Sequence, residues 1–123
     1  MTAVTTALLV ALGAAVGAPA RYLTDRLLRS LPRVRGSPFP WGTFVVNVVA
    51  SFVLGLVLAG PAPHGVVALV GVGFCGSLST WSTLAFDTVR LFGQRARTAS
   101  VVNAVASTLA GLGAAALGLA LGS

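Results

Sequence analysis

Hydrogen-bond donors that carry no charge sit within the apolar stretches of this chain: Asn47, Thr80, Trp81, Ser82, Thr83, Asn103 and Ser107. Amides, hydroxyls, an indole N–H and the positive edge of an aromatic ring can stand in for the water around a small anion without trapping it against a full opposite charge. The physics favours a small, hard anion. The same groups also join membrane helices to one another, at about 0.6 kcal/mol per bond on average, so the residues alone leave an ion path and helix-to-helix bonding both open.

Other chemistries lack their residues. No nucleophile has a general base beside it and no pair of acids is available, so an enzyme is not expected. Cys75 is the single cysteine, and neither cysteine nor histidine has metal-ligand spacing. A proton-coupled small multidrug exporter needs an acid embedded in the membrane, whereas Asp25 and Asp87 are both expected near loops. A non-conducting membrane assembly subunit is the alternative from another class.

The elements that must position these donors follow from composition. The chain has 123 residues, is 56% hydrophobic and 8% charged, and has a mean hydropathy of +0.95. These values lie outside the range of soluble domains and predict a single integral membrane domain over residues 1–123. At about 20 residues per span there is room for roughly four crossings and little else. The net charge of +6 comes entirely from arginines beside apolar spans, which indicates membrane topology rather than nucleic acid.

The first span is expected over Thr2 to about Tyr22, with Gly13 and Gly17 offering a smooth face to another helix. No basic residue precedes it, which disfavours a cleaved signal. Residues 23–40 hold several arginines and Pro32, Pro38 and Pro40, and predict a water-facing loop whose first part lies as an amphipathic turn on the membrane. Trp41 marks the interface. The second span, about Trp41 to Gly60, aligns Thr43, Asn47, Ser51 and Gly55 on one face, and the fourth, about Ala99 to Leu121, repeats the spacing with Asn103, Ser107 and Gly111. The two stripes are expected to face one hydrophilic path.

The third span, about Val66 to Phe92, is too long for one straight crossing and holds the stretch G-V-G-F-C-G-S-L-S-T-W-S-T from Gly71 to Thr83. Glycine and hydroxyl residues at 76–80 predict a break in the helix. In hydrocarbon a freed carbonyl costs several kcal/mol, so a break needs protein, water or an ion to take up those groups.

The chain resembles the small fluoride channels called Fluc or CrcB over nearly its whole length. The resemblance is carried by G-A-A-V-G-A-P-A-R-Y in the first segment, G-T-F-V-V-N in the second, G-F-C-G-S-L-S-T-W-S-T in the third and N-A-V-A-S in the fourth. It implies four transmembrane helices, the third broken, in an antiparallel dimer that carries fluoride passively out of the cell along two pores around a structural sodium ion. It further implies that backbone carbonyls of Gly76 and Ser79 hold the sodium. Asn47, Thr80 and Ser107 would line the fluoride path, together with Trp81 and Leu84 at the places of two pore phenylalanines and Asn103 at the place of a tyrosine in some members. Arg21 would mark the basic vestibule. Ser77 departs from a second glycine in the break.

Charge placement predicts orientation. Arg26, Arg29, Arg33, Arg35, Arg95 and Arg97 lie in loops 23–40 and 93–98, with Arg21 and Arg90 at adjoining helix ends. The positive-inside rule places both loops in the cytoplasm and both termini outside a plasma membrane. A chain so biased would rarely supply its own inverted copy, which points to a homologous partner of opposite orientation.

Overall fold

The computed structural model describes residues 2–32, 39–79 and 81–123, except the side chains of 81–83. Among the described residues the regular structure is all helical: α1 Ala3–Arg29, α2 Trp41–Ala59, α3 His64–Leu78, α4 Trp81–Gly93 and α5 Arg97–Gly122. Helices α1, α2 and α5 are each long and apolar enough to cross a membrane, and the shorter α3 and α4 follow one another between α2 and α5.

Contacts fix the directions. A Cβ on Gly65, at the start of α3, would lie 3.6 Å from Leu9, while Asp87 in α4 meets Thr43 at the start of α2. The α3–α4 tandem therefore joins the two ends of the bundle. The described arginines gather at the α4 end, and Gly60 and Gly122 meet at the other.

Two seams of small residues hold the bundle. In α1 against α3, a Cβ on Gly73 would meet the Val10 carbonyl at 2.5 Å and Gly13 Cα at 3.0 Å. In α2 against α5, a Cβ on Gly118 would fall 2.9 Å from Leu56 N, and Gly55 lies against the Ala115 carbonyl. Only hydrogen fits in such gaps, so the backbones come close enough for dispersion between main chains, a chief source of attraction between helices in lipid. Val46, Ala50, Cys75 and Leu78 form a buried cluster between the seams, and Cys75 is a packing residue within it.

Three features differ from the sequence expectation. Helix α1 does not stop at Tyr22 but runs through Pro19 to Arg29, so residues 23–29 are helical rather than a loop. Thr24 Oγ1 donates to the Ala20 carbonyl at 2.8 Å, Asp25 pairs with Arg29 at 3.0 Å, and Arg26 and Arg29 suit the negative end of the helix dipole. Residues Val67–Cys75 wind as a π-helix, a form rare at this length and frequent at functional sites. Asp87, expected near water, is buried at 8% exposure. Arg33 and Arg35 lie outside the described residues.

Gly73→Val should lower the unfolding midpoint in detergent by the equivalent of about 1–3 kcal/mol through overpacking. Gly113→Ala, where a Cβ meets nothing within 4 Å, should leave it unchanged or raise it. Equal tolerance of both changes would show that the α1–α3 seam is not closely packed.

Candidate ion pathway

The two polar stripes do face each other. Asn47 and Ser51 on α2, Ser79 at the break, Leu84 on α4, and Ser107, Thr108 and Gly111 on α5 line one half-open groove of about 330 Å³. Helical spacing of four puts Asn47 above Ser51 and Ser107 above Gly111, and the parallel α2–α5 seam sets these pairs across from each other. Of the residues expected in an ion path, Asn47, Leu84 and Ser107 meet in this groove. Thr80 and the Trp81 side chain lie outside the described residues.

Arg21 and Asn103 lie elsewhere. Arg21 borders a second cavity of about 250 Å³ at the basic end, with Asp25, Arg29, Thr43 and Asp87. Thr43 is one helical turn from Asn47, so the two cavities adjoin along α2. Asn103 has no exposed surface and stands behind the groove wall. Its Nδ2 donates to Thr88 Oγ1 at 2.9 Å, and its Oδ1 accepts from Ser107 at 3.3 Å. Asn103 thus orients the groove hydroxyl rather than lining the groove itself.

Thr88 is the residue that sequence reasoning missed. Its hydroxyl donates to the Leu84 carbonyl at 2.9 Å while accepting from Asn103, and its own carbonyl accepts from Ser100 Oγ at 2.7 Å. The signal was present in the short link at 94–96: folding α5 back on α4 about that link brings 88 opposite 100 to 103. Beside it, Asp87 accepts from Thr43 Oγ1 at 3.1 Å and pairs with Arg90 at 3.6 Å. A buried carboxylate requires such partners, and here they tie α4 to α2.

At the break, Ser79 is extended at φ −78° and ψ 154°, which ends α3 at Leu78. Gly76 is ordinary helix at φ −64° and ψ −33°, so the break lies three residues later than its first glycine and Gly76 has no special conformation. A Cβ there would meet nothing within 4 Å, which leaves this face open beside a cavity of about 100 Å³ lined by Ala50, Ser51, Cys75 and Ser79. Among the described residues no three of His, Cys, Asp or Glu are grouped to hold a metal.

These features define a small multi-span membrane protein with a neutral-donor groove beside a broken helix. The chain belongs to the CrcB family: the family described as CrcB-like protein, Camphor Resistance (CrcB), matches residues 8–119. It is similar to proteins named fluoride-specific ion channel FluC 1 from Frankia casuarinae, at 52% identity with 93% of each chain covered, and from Streptomyces avermitilis, at 47% with 91% of each covered. A fluoride-specific ion channel FluC from Methanopyrus kandleri is 44% identical over 86% of each chain. The family is one of transport proteins rather than enzymes.

Thr88→Val should cost about 1–3 kcal/mol, because the buried Asn103 amide loses its acceptor, and Thr88→Ser should restore most of it. Unfolding midpoints of the two variants check this; a valine variant as stable as the parent would remove Thr88 from the clamp.

Proposed function

We propose that this chain is a fluoride channel subunit that lets cytoplasmic fluoride leave the cell passively. The observation that carries the reading is the groove in which the Asn47 and Ser107 side chains meet between α2 and α5. Family membership and the names of the relatives supply the ion. Fluoride is small and hard, and gives up its hydration only where strong donors replace it. The Asn47 amide carries N–H groups, and Ser107, whose hydroxyl donates to Asn103 Oδ1, would turn that donor from Asn103 to the ion as it arrives. Neutral donors bind the ion without holding it, as conduction requires. Thr80 and Trp81 would extend this path, with Leu84 as an apolar wall. Arg21, at the basic cavity, would raise the local anion concentration.

The working unit in this reading is an antiparallel dimer. The open face at Gly76 and the extended Ser79 suit a seam with a second subunit, where carbonyls of Gly76 and Ser79 from both chains would hold a structural sodium ion. Carbonyl oxygen is a hard donor matched to such a cation. The ion would supply fixed positive charge at the seam. Gathering of Arg21, Arg26, Arg29, Arg90, Arg95 and Arg97 at one end supports a cytoplasmic basic face with both termini outside, and hence a homologous partner of opposite bias.

In liposomes holding the assembled channel, fluoride should leave far faster than chloride, and Asn47→Leu should slow fluoride by roughly tenfold or more, the equivalent of about 1.4 kcal/mol. Parent-like flux in that variant would remove Asn47 from the path. Ser79→Ala should be mild, because its carbonyl remains, while Gly76→Val should block pairing of subunits with the helical content intact; the reverse order would refute backbone coordination. Reporters at the termini should be found outside, and the chain purified alone should conduct poorly until its partner is added. Termini divided between both faces, with full conduction by the lone chain, would establish a homodimer instead.

A further inference from the structure

A fourth cavity lies away from the groove, at the basic end. It has a volume of about 590 Å³ and runs between the start of α2 and the first turns of α5. Its floor is apolar, formed by Trp41, Phe44, Val102 and Ala106, and its rim carries Arg95 and Arg97. Phe39 packs on Trp41 at 4.7 Å, and Trp41 meets Phe44 edge-on at 5.8 Å, which holds the aromatic wall firm. Trp41 is nonetheless 40% exposed, as an aromatic at a bilayer interface would be.

The rim arginines have no acid to pair with. The chain has only two acidic side chains, and these are engaged elsewhere, Asp25 with Arg29 and Asp87 with Arg90 and Thr43. Arg97 lies over the Phe92 ring at 5.4 Å, which orients its guanidinium without neutralising it. Arg95 occupies the left-handed position that ends α4, at φ 62°, with Arg95 N–H bonded to the Phe92 carbonyl and Ala96 N–H to that of Leu91. Glycine takes that position without strain, so an arginine there is disfavoured by the backbone. The first turn of α5 holds no acid, and Ala96 gives it no side-chain cap.

We propose that this cavity seats an anionic phospholipid, its phosphate between Arg95 and Arg97 and an acyl chain along Trp41, Phe44 and Val102. Charge and shape both select this occupant: two cations lacking counterions stand at the headgroup level, directly above an apolar trough open to the bilayer. The uncapped N–H groups of α5 add donors on the phosphate side. The lipid seat depends on the membrane-spanning fold and is separate from the conduction reading.

The full chain, reconstituted in phosphatidylcholine with Trp81→Phe so that Trp41 is the one tryptophan left, reports occupancy by fluorescence. Brominated phosphatidylglycerol, added at low mole fraction, should quench Trp41 with an apparent association roughly tenfold stronger than brominated phosphatidylcholine. Arg95→Gly with Arg97→Gln should bring that ratio close to one, while Arg95→Gly alone should keep or raise the unfolding midpoint because glycine suits the left-handed backbone. Equal quenching by the two lipids in the parent, or an unchanged preference in the double variant, overturns the proposal. Quenching by neither lipid, the result of a second copy of the chain covering the cavity, overturns it as well.

Discussion

Close approach of main chains at glycine is the constraint on which this bundle depends. In lipid, burying apolar side chains between helices gains little over leaving them in hydrocarbon, so packing and hydrogen bonds carry association. Gly13 against Gly73 and Gly55 against Ala115 bring α1 to α3 and α2 to α5, and these two seams fix the register of the helices they join. Helix α4, which lacks such a seam, is held by side chains: Asp87 to Thr43, and Thr88 to Ser100 and Asn103. The groove occupies the space that the seams and clamps leave between them.

The polar residues consequently divide by task. Asn103, Thr88, Asp87 and Thr43 join one helix to another, and Asn47, Ser51 and Ser107 line a shared cavity. Type and depth alone do not separate the groups. Asn47 and Asn103 occupy equivalent places in their stripes, yet only Asn47 borders the groove, because Thr88 of α4 covers Asn103. An apparent twofold likeness between stripes is therefore undone by a third helix.

Much of this was legible in the chain. Intervals of four in α2 and α5 report the facing stripes because helical geometry is local, and the Gly13 and Gly17 pair reports its seam for the same reason. Burial of Asp87 was not legible: nearness to a loop in sequence says nothing of the Thr43 hydroxyl that folds over it. The length of α1 was obscured by the arginines from Arg21 onward, which read as the start of a water-facing loop but are carried on a helix that continues past the apolar run to Arg29. The break was visible in the composition of residues 76–80, within which Ser79 lies, but which of these residues leaves the helix depends on backbone angles that composition does not encode.

The π-helical winding of Val67–Cys75 carries a further consequence. An α-helix advances about 100° per residue, whereas closing each turn one residue later advances less. Over nine residues the lag accumulates, so the azimuth of Gly76 and Ser79 about the helix axis is set by how many residues wind this way. The segment acts as a phase shifter between the seam with α1 and the break. A helical wheel drawn at constant angle will misassign the faces beyond Cys75, and chain length between Gly65 and Ser79 is a stricter constraint than the identity of the apolar residues that fill it.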